Sequence, residues 1–281
     1  MPREIDPPSV QREFLVAALE QGKRLDGRLP LEQRPFTLTF GAELGSVECR
    51  LGKTAVLAQV TATIVKPRDD RPYEGFLVIS SEISPMASSV FEAGRSSEDE
   101  VMITRLLEKS IRRTEAVDRE ALCILAGEKV WHLRLTLHFL SDSGNLLDCA
   151  SLAAMTALRH FRKPEVEVIG GEVIVHSPDE RAPVPLAIHH TPLCLTFAYF
   201  ENLSPILDPT HLEEVLASGT MTITLNAQRE LCVLSKAGGT ALAADEIMNI
   251  VRVGVERVRA IVKLMDEALA KDQGERVVEV V

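Results

Sequence analysis

Disulfide pairing, a basic surface and long apolar runs are all missing from this 281-residue chain. Its five cysteines, Cys49, Cys123, Cys149, Cys194 and Cys232, are scattered, odd in number and never in a CxxC pair. Most sit in apolar runs such as GSVECRL and LCLTF, which argues against a disulfide framework and suits a reducing cytosolic or nuclear compartment. Basic charge is short: 31 Lys and Arg stand against 41 Asp and Glu, a formal net charge of −10. A protein that grips nucleic acid with its whole surface is therefore excluded, and any such contact must be local or shared with partners. No run approaches the roughly 18 apolar residues of a membrane span. The opening MPREIDPPS has no apolar signal core, so neither secretion nor membrane insertion is expected. No Walker loop, GxSxG elbow or HExxH pair occurs, and His189 and His190 are the only adjacent histidines, so no metal site is expected.

What is present is a folding pattern. A hydrophobic share of 46% against a charged share of 26% allows a large buried core and excludes disorder. The length suits one large unit or two closely packed ones. The centre is the stretch from Trp131 to Phe161. Leu133, Leu135, Leu137 and Phe139 alternate with polar residues, predicting a half-buried strand that ends near Leu140. The turn SDSGN follows, then Leu147, Ala150, Leu152, Ala154, Leu158 and Phe161 at helical spacing. Four alanines, at 150, 153, 154 and 157, let this helix approach another backbone closely, so it is expected to be buried and central.

The rest of the chain arranges itself around that unit. Ser9 is expected to cap a short helix with an apolar stripe of Val10, Phe14, Ala17 and Ala18, and KRLDGRLP reads as an exposed connector. Residues 36–64 predict a three-strand meander, the loop KPRDDRPYEG leads into a strand FLVISSEI, and PEVEVIGGEVIVH predicts a hairpin. Further strands are expected in LAIHHTPLCLTFAYF, GTMTITLN and ELCVLSKAGG, before a last helix from about Ala243 to Ala270 and a loose tail. Each half thus runs strands then helix, which makes an α+β fold of two related lobes the economical reading. The expected division is 1–30 (helix and connector), 31–164 (first lobe), 165–272 (second lobe) and 273–281 (tail).

Three groups of residues invite a chemical reading. Ser96 or Ser97 should cap a helix on which Arg105, Lys109 and Arg112 fall at i, i+4 and i+7, on one side; Glu108 and Glu115 could instead neutralise that side. Asp208, Glu213 and Glu214 could hold a divalent ion, although neighbouring carboxylates diverge and solvated acids are the plainer reading. SDSGN opens a helix whose N–H groups could hold an anion. The next side chains, however, are Leu146, Leu147 and Asp148, with no cation to clamp it, and Asp142 and Asp148 would repel phosphate.

The order S-x-x-x-E-F-L-x-x-A-L-x-x-G-x-R-x-D-G-R from Ser9 to Arg28, the RxxxKxxR helix, LSDSGNLLDCASLAAMTAL, and PVPLAIHHTPLCLTFAYF with ILDPT resemble the RNase PH superfamily. Within it they resemble the RNase PH-like ring subunits of the eukaryotic RNA exosome, of the archaeal non-catalytic type, over almost the whole chain. The resemblance implies the bilobal RNase PH fold, like domain 2 of ribosomal protein S5, and a hexameric ring of related subunits. It also implies S1/KH-type cap subunits, associated nucleases and cofactors, and single-stranded RNA as partners, with no cofactor of its own. In active members the central turn reads aspartate, glycine, glycine, threonine, arginine, and the last two hold the attacking phosphate. Ser143, Gly144, Asn145, Leu146 and Leu147 stand there in this sequence. Two catalytic aspartates of active members correspond to Glu214 and Thr220. Loss of the charged clamp alone typically removes several kcal/mol of transition-state stabilisation. Arg105 and Lys109 match RNA-contacting arginines of the archaeal non-catalytic partner, Arg112 follows one turn on, and Lys66 and Arg68 match a loop lining the ring's pore.

The resulting expectation is a catalytically silent ring subunit in nucleus, nucleolus and cytoplasm that helps line an RNA path in rRNA maturation and mRNA turnover. The alternatives are an active phosphate-dependent 3′→5′ exoribonuclease whose clamp comes from a partner, and a docking surface for a cap protein.

Overall fold

A computed structural model of the chain describes residues 7–279 except 93, 171, 178, 179, 201, 202 and 240. Helix α1 (Ser9–Glu20) precedes strands β1 (Phe36–Phe40), β2 (Ser46–Leu51), β3 (Thr54–Val65) and β4 (Phe76–Ile83), then helix α2 (Glu98–Leu107). Strands β5 (Cys123–Leu125) and β6 (Lys129–Ser141) lead to helix α3 (Leu146–His160). After it come β7 (Arg162–Lys163), β8 (Val166–Ile169), β9 (Glu172–Val175), β10 (Val184–Pro185), β11 (Leu193–Tyr199) and β12 (Ile206–Leu207). Helix α4 (His211–Leu216), β13 (Gly219–Leu225), β14 (Leu231–Ala237) and helix α5 (Ala244–Glu279) complete the chain.

The alternating residues of β6 do what their period demands. Leu133, Leu135 and Leu137 are fully buried, and β6 lies inside the first sheet, in order β1-β2-β3-β6-β4. It pairs antiparallel with β3 and parallel with β4, the crossover between them being made by α2. The second sheet is antiparallel, in order β12-β11-β13-β14. Helix α3 lies between the two sheets, against β2, β3 and β6 on one side and β11 on the other. Ala150, Ala153, Ala154 and Ala157 are all at 0% exposure, so the small side chains do admit close approach on every side. A single apolar core therefore runs through both lobes.

Several details depart from the sequence reading. Pro8, rather than Ser9, occupies the cap position of α1, without a side-chain cap bond. The stripe of Val10 and Phe14 faces outward at 72% and 65% exposure, while Leu15 packs against Ala198, Phe200 and Ile206. The strand expected from Leu186 begins only at Leu193; before it Ile188 makes one isolated bridge to Val117. The tail is not loose from residue 273, since α5 continues to Glu279. Arg276 donates to the carbonyls of Gly41 and Ala42 and, through Nε, to Asp272 at 2.7 Å. Asp272 in turn accepts from Nε2 of buried His160 at 3.1 Å, because the ring's Nδ1 already accepts from Gly45 N–H.

KRLDGRLP is exposed at Lys23, Leu25, Asp26, Gly27 and Leu29, as expected of a connector, but its arginines anchor it. Arg24 is 4% exposed and its guanidinium clasps the Glu213 carboxylate, with Nε to Oε1 at 3.0 Å, and donates to the carbonyls of Leu207 and Asp208. The segment thus ties α1 to the second lobe.

Candidate functional site

The SDSGN turn joins β6 to α3, and its glycine is structurally required. Gly144 has φ +86°, and a Cβ there would come within 2.3 Å of the His211 amide nitrogen. That close approach brings the start of α4 against the start of α3. Asn145 also adopts the left-handed conformation, which asparagine tolerates better than most residues.

The result is a cleft of about 370 Å³ in which the two expected groups meet: Asn145, Leu146 and Leu147 line one side, Glu214 and Thr220 the other. Two N–H donors of the turn are already occupied. Gly144 N–H donates to Oδ1 of Asp142 at 2.9 Å, and Asn145 N–H donates to Oε1 of Glu214 at 2.8 Å. Ser143 and Gly144 contribute their carbonyls, which accept from Arg34, while Thr54 Oγ1 also donates to Gly144. No lysine or arginine lines the cleft among the described residues.

Asp148 does not face this opening, contrary to its expected role in repelling phosphate. It is 3% exposed and turns toward β11, accepting from Thr196 N–H at 2.9 Å and Thr196 Oγ1 at 2.8 Å. Burial pushes its carboxyl up to about 7, against the hydrogen bonds of Asn145 and Thr196. Burial likewise pushes Glu214 up to about 8; the Asn145 bond opposes the rise and the Asp142 charge adds to it. Two carboxyl groups with displaced titration thus lie at the head of α3.

Asp208 and Glu213 are not solvated acids, nor do they converge on a metal. Asp208, fully buried, accepts from Arg28 at 2.8 Å, Arg34 at 2.7 Å and Asn145 Nδ2 at 2.6 Å. Burial raises its carboxyl, but the Arg34 bonds and charge and the Asn145 bond outweigh this and hold it below the ordinary range. Among the described residues no three His, Cys, Asp or Glu side chains are grouped to hold a metal ion. Nor is any described helix long and apolar enough to cross a membrane. Sequence reasoning does not join Arg24, Arg28 and Arg34 into a unit: Arg24 and Arg28 belong to the G-x-R-x-D-G-R pattern, but the segment is otherwise composed like a loop.

The basic helix divides in two. Ser97 caps α2, accepting from Glu100 N–H at 3.1 Å, but after Leu107 the helix widens into a π turn over Glu108–Arg112, closed by Arg113 N–H to Glu108 O. Arg112 pairs with Glu108 at 3.5 Å and Glu115 with Arg119 at 3.7 Å. Glu108 thus neutralises Arg112, whereas Arg105 and Lys109 are exposed with no carboxylate in ion-pair range among the described residues. Lys66 reaches exposed Asp69 at 3.9 Å, and Arg68 lies over the Phe76 ring at 5.5 Å.

Residues 32–164 match domain 1, and residues 190–257 domain 2, of the 3′ exoribonuclease family of RNase PH type. The chain belongs to the RNase PH family. Exosome complex component rrp45 of Schizosaccharomyces pombe is 44% identical over 97% of this chain and 94% of that protein. Human exosome complex component RRP45 is 42% identical over 96% of this chain, which spans 62% of the human protein. Among solved structures, a chain of the Archaeoglobus fulgidus exosome with RNA bound to the active site superposes with a TM-score of 0.79 at 28% identity, covering 90% of this chain and 97% of that one. The two-lobed α+β architecture is accordingly the RNase PH fold.

Proposed function

We propose that this chain is a ring subunit of an RNA exosome that helps form the RNA path but does not itself carry out phosphorolysis. The observation that carries the silent reading is the head of α3, where Asp142 and Glu214 accept the Gly144 and Asn145 N–H groups and leucines stand beside them. An incoming phosphate would meet the Asp142 carboxylate, the Glu214 carboxyl group and apolar carbon where it needs cations. Kinship with the rrp45 proteins of fission yeast and human supports the ring assignment. Its partners are then other RNase PH-like subunits, S1/KH-type caps and the associated nucleases. Unpaired Arg105 and Lys109 supply sequence-independent phosphate contacts to single-stranded RNA, in rRNA maturation and mRNA turnover in nucleus, nucleolus and cytoplasm.

The test is a ring assembled with its partners and given RNA, inorganic phosphate and Mg²⁺. Glu214→Gln should leave the release of nucleoside diphosphates unchanged. Loss of that release in the variant would overturn the silent reading in favour of an active subunit with a partner-supplied clamp.

A further inference from the structure

At the end opposite the cleft, α3 finishes on a buried histidine. His160 is 1% exposed, and both nitrogens of its ring are engaged. Gly45 N–H donates to Nδ1 at 3.1 Å. An amide can only donate, so Nδ1 carries no proton; the ring is neutral, with its proton on Nε2, which faces Oδ2 of Asp272 at 3.1 Å. One side chain thus ties both the β1–β2 turn and the far end of α5 to the end of α3. The Phe40 ring of β1 packs beside it, tilted by 54° with the ring centroids 4.9 Å apart.

The charged groups around the ring come from three elements. On α5, Asp272 also accepts from Arg276 Nε at 2.7 Å, and Arg276 reaches on to the carbonyls of Gly41 and Ala42. At β7, Arg162 donates to the carbonyls of Arg159 and Phe161, and on α3 Arg159 pairs with Asp266 at 2.6 Å. The turn itself carries Glu43, which is exposed. Burial holds His160 below its ordinary value of 6.5; the Asp272 carboxylate opposes this, and the Arg276 and Arg162 charges add to it. Gly45 is tightly seated. It has φ +98°, a Cβ there would lie 2.7 Å from Phe161 Cδ2, and its carbonyl accepts from Val60 N–H at 3.0 Å.

We propose that His160 is a proton-operated latch on the β1–β2 turn. A proton taken from water at Nδ1 turns the acceptor of Gly45 N–H into a second donor, so the two N–H groups repel and the Gly45 end of the turn leaves α3. Nε2 stays on Asp272, and Arg276 keeps Gly41 and Ala42, so the opening is confined to residues 43–46. Above about pH 6.5 the ring is neutral whether the chain is folded or not, and the latch is shut. Below that the unfolded chain takes up the proton before the folded one, so stability is lost as pH falls toward the lower folded-state value.

The experiment follows hydrogen–deuterium exchange of the chain assembled with its ring partners, from about pH 8 to about pH 5, each rate divided by the intrinsic rate at that pH. Peptides covering residues 43–46 should lose protection about tenfold as pH falls below about 6.5, while peptides of β6 stay protected. His160→Asn offers an amide oxygen as an acceptor that does not titrate, and should abolish the pH dependence. Asp272→Asn removes the charge that favours the imidazolium and should move the loss to lower pH, so it tests the latch even where H160N fails to assemble. The latch is overturned by protection at residues 43–46 that is equal at both ends of the range, that falls in step with β6, or that still falls in H160N. A midpoint in D272N equal to the parent's overturns it as well.

Discussion

Single side chains decide what the head of α3 can hold. Glu214 keeps its proton in the folded chain up to about 8, whereas its ordinary value is 4.5. Between those values the folded state binds more protons than the unfolded one, so this residue's contribution to stability is present at low pH and falls as pH rises. Glu214→Gln should therefore flatten the loss of stability between about pH 5 and 8, read from urea midpoints; an identical pH profile in the variant would show that Glu214 is not the buried acid described here. Arg34 works in the opposite sense, neutralising Asp208 where no water can. Removing it leaves the buried carboxylate with only Arg28 to offset its charge, and Arg34→Ala should cost about 1–3 kcal/mol in chemical denaturation, more than an exposed ion pair.

At the scale of elements, the far end of α5 matters more than its sequence suggests. Apolar positions Ile250, Val258, Ile261, Met265 and Leu269 pack its face onto the core. Beyond Leu269 the docking is polar, through Asp272 and Arg276 to His160 and the β1–β2 turn. Asp272→Ala removes the acceptor shared by His160 and Arg276, at a cost of about 1–3 kcal/mol. Amide exchange at Gly45, whose N–H is bound to His160, should speed up; unchanged protection there would mean that this end of the helix does not hold the turn. The same contrast runs through α2, where propensity sets the start at Ser97 but a local widening, unreadable from composition, redirects Arg113.

For the whole molecule, what was readable in the residues was whatever follows from local period and local chemistry. The leucines of β6, the alanines of α3, the meander and the serine cap of α2 needed no partner to be recognised, because strand and helix periods are properties of neighbouring positions. The leucines at 146 and 147 likewise declared the missing cation. Contacts between distant segments were not readable. Arg24 reaching Glu213 spans 189 positions and Arg34 reaching Asp208 spans 174, so the connector looked solvated and the acids looked free. The sequence by itself determined the two-lobed architecture and the absence of a lysine or arginine just after the SDSGN turn, since both lie in short-range pattern and residue type. Only the tertiary structure decided that Asp142 and Glu214 accept the Gly144 and Asn145 N–H groups and that Arg34 meets Asp208, because burial and distance between remote residues exist only once the chain has closed on itself.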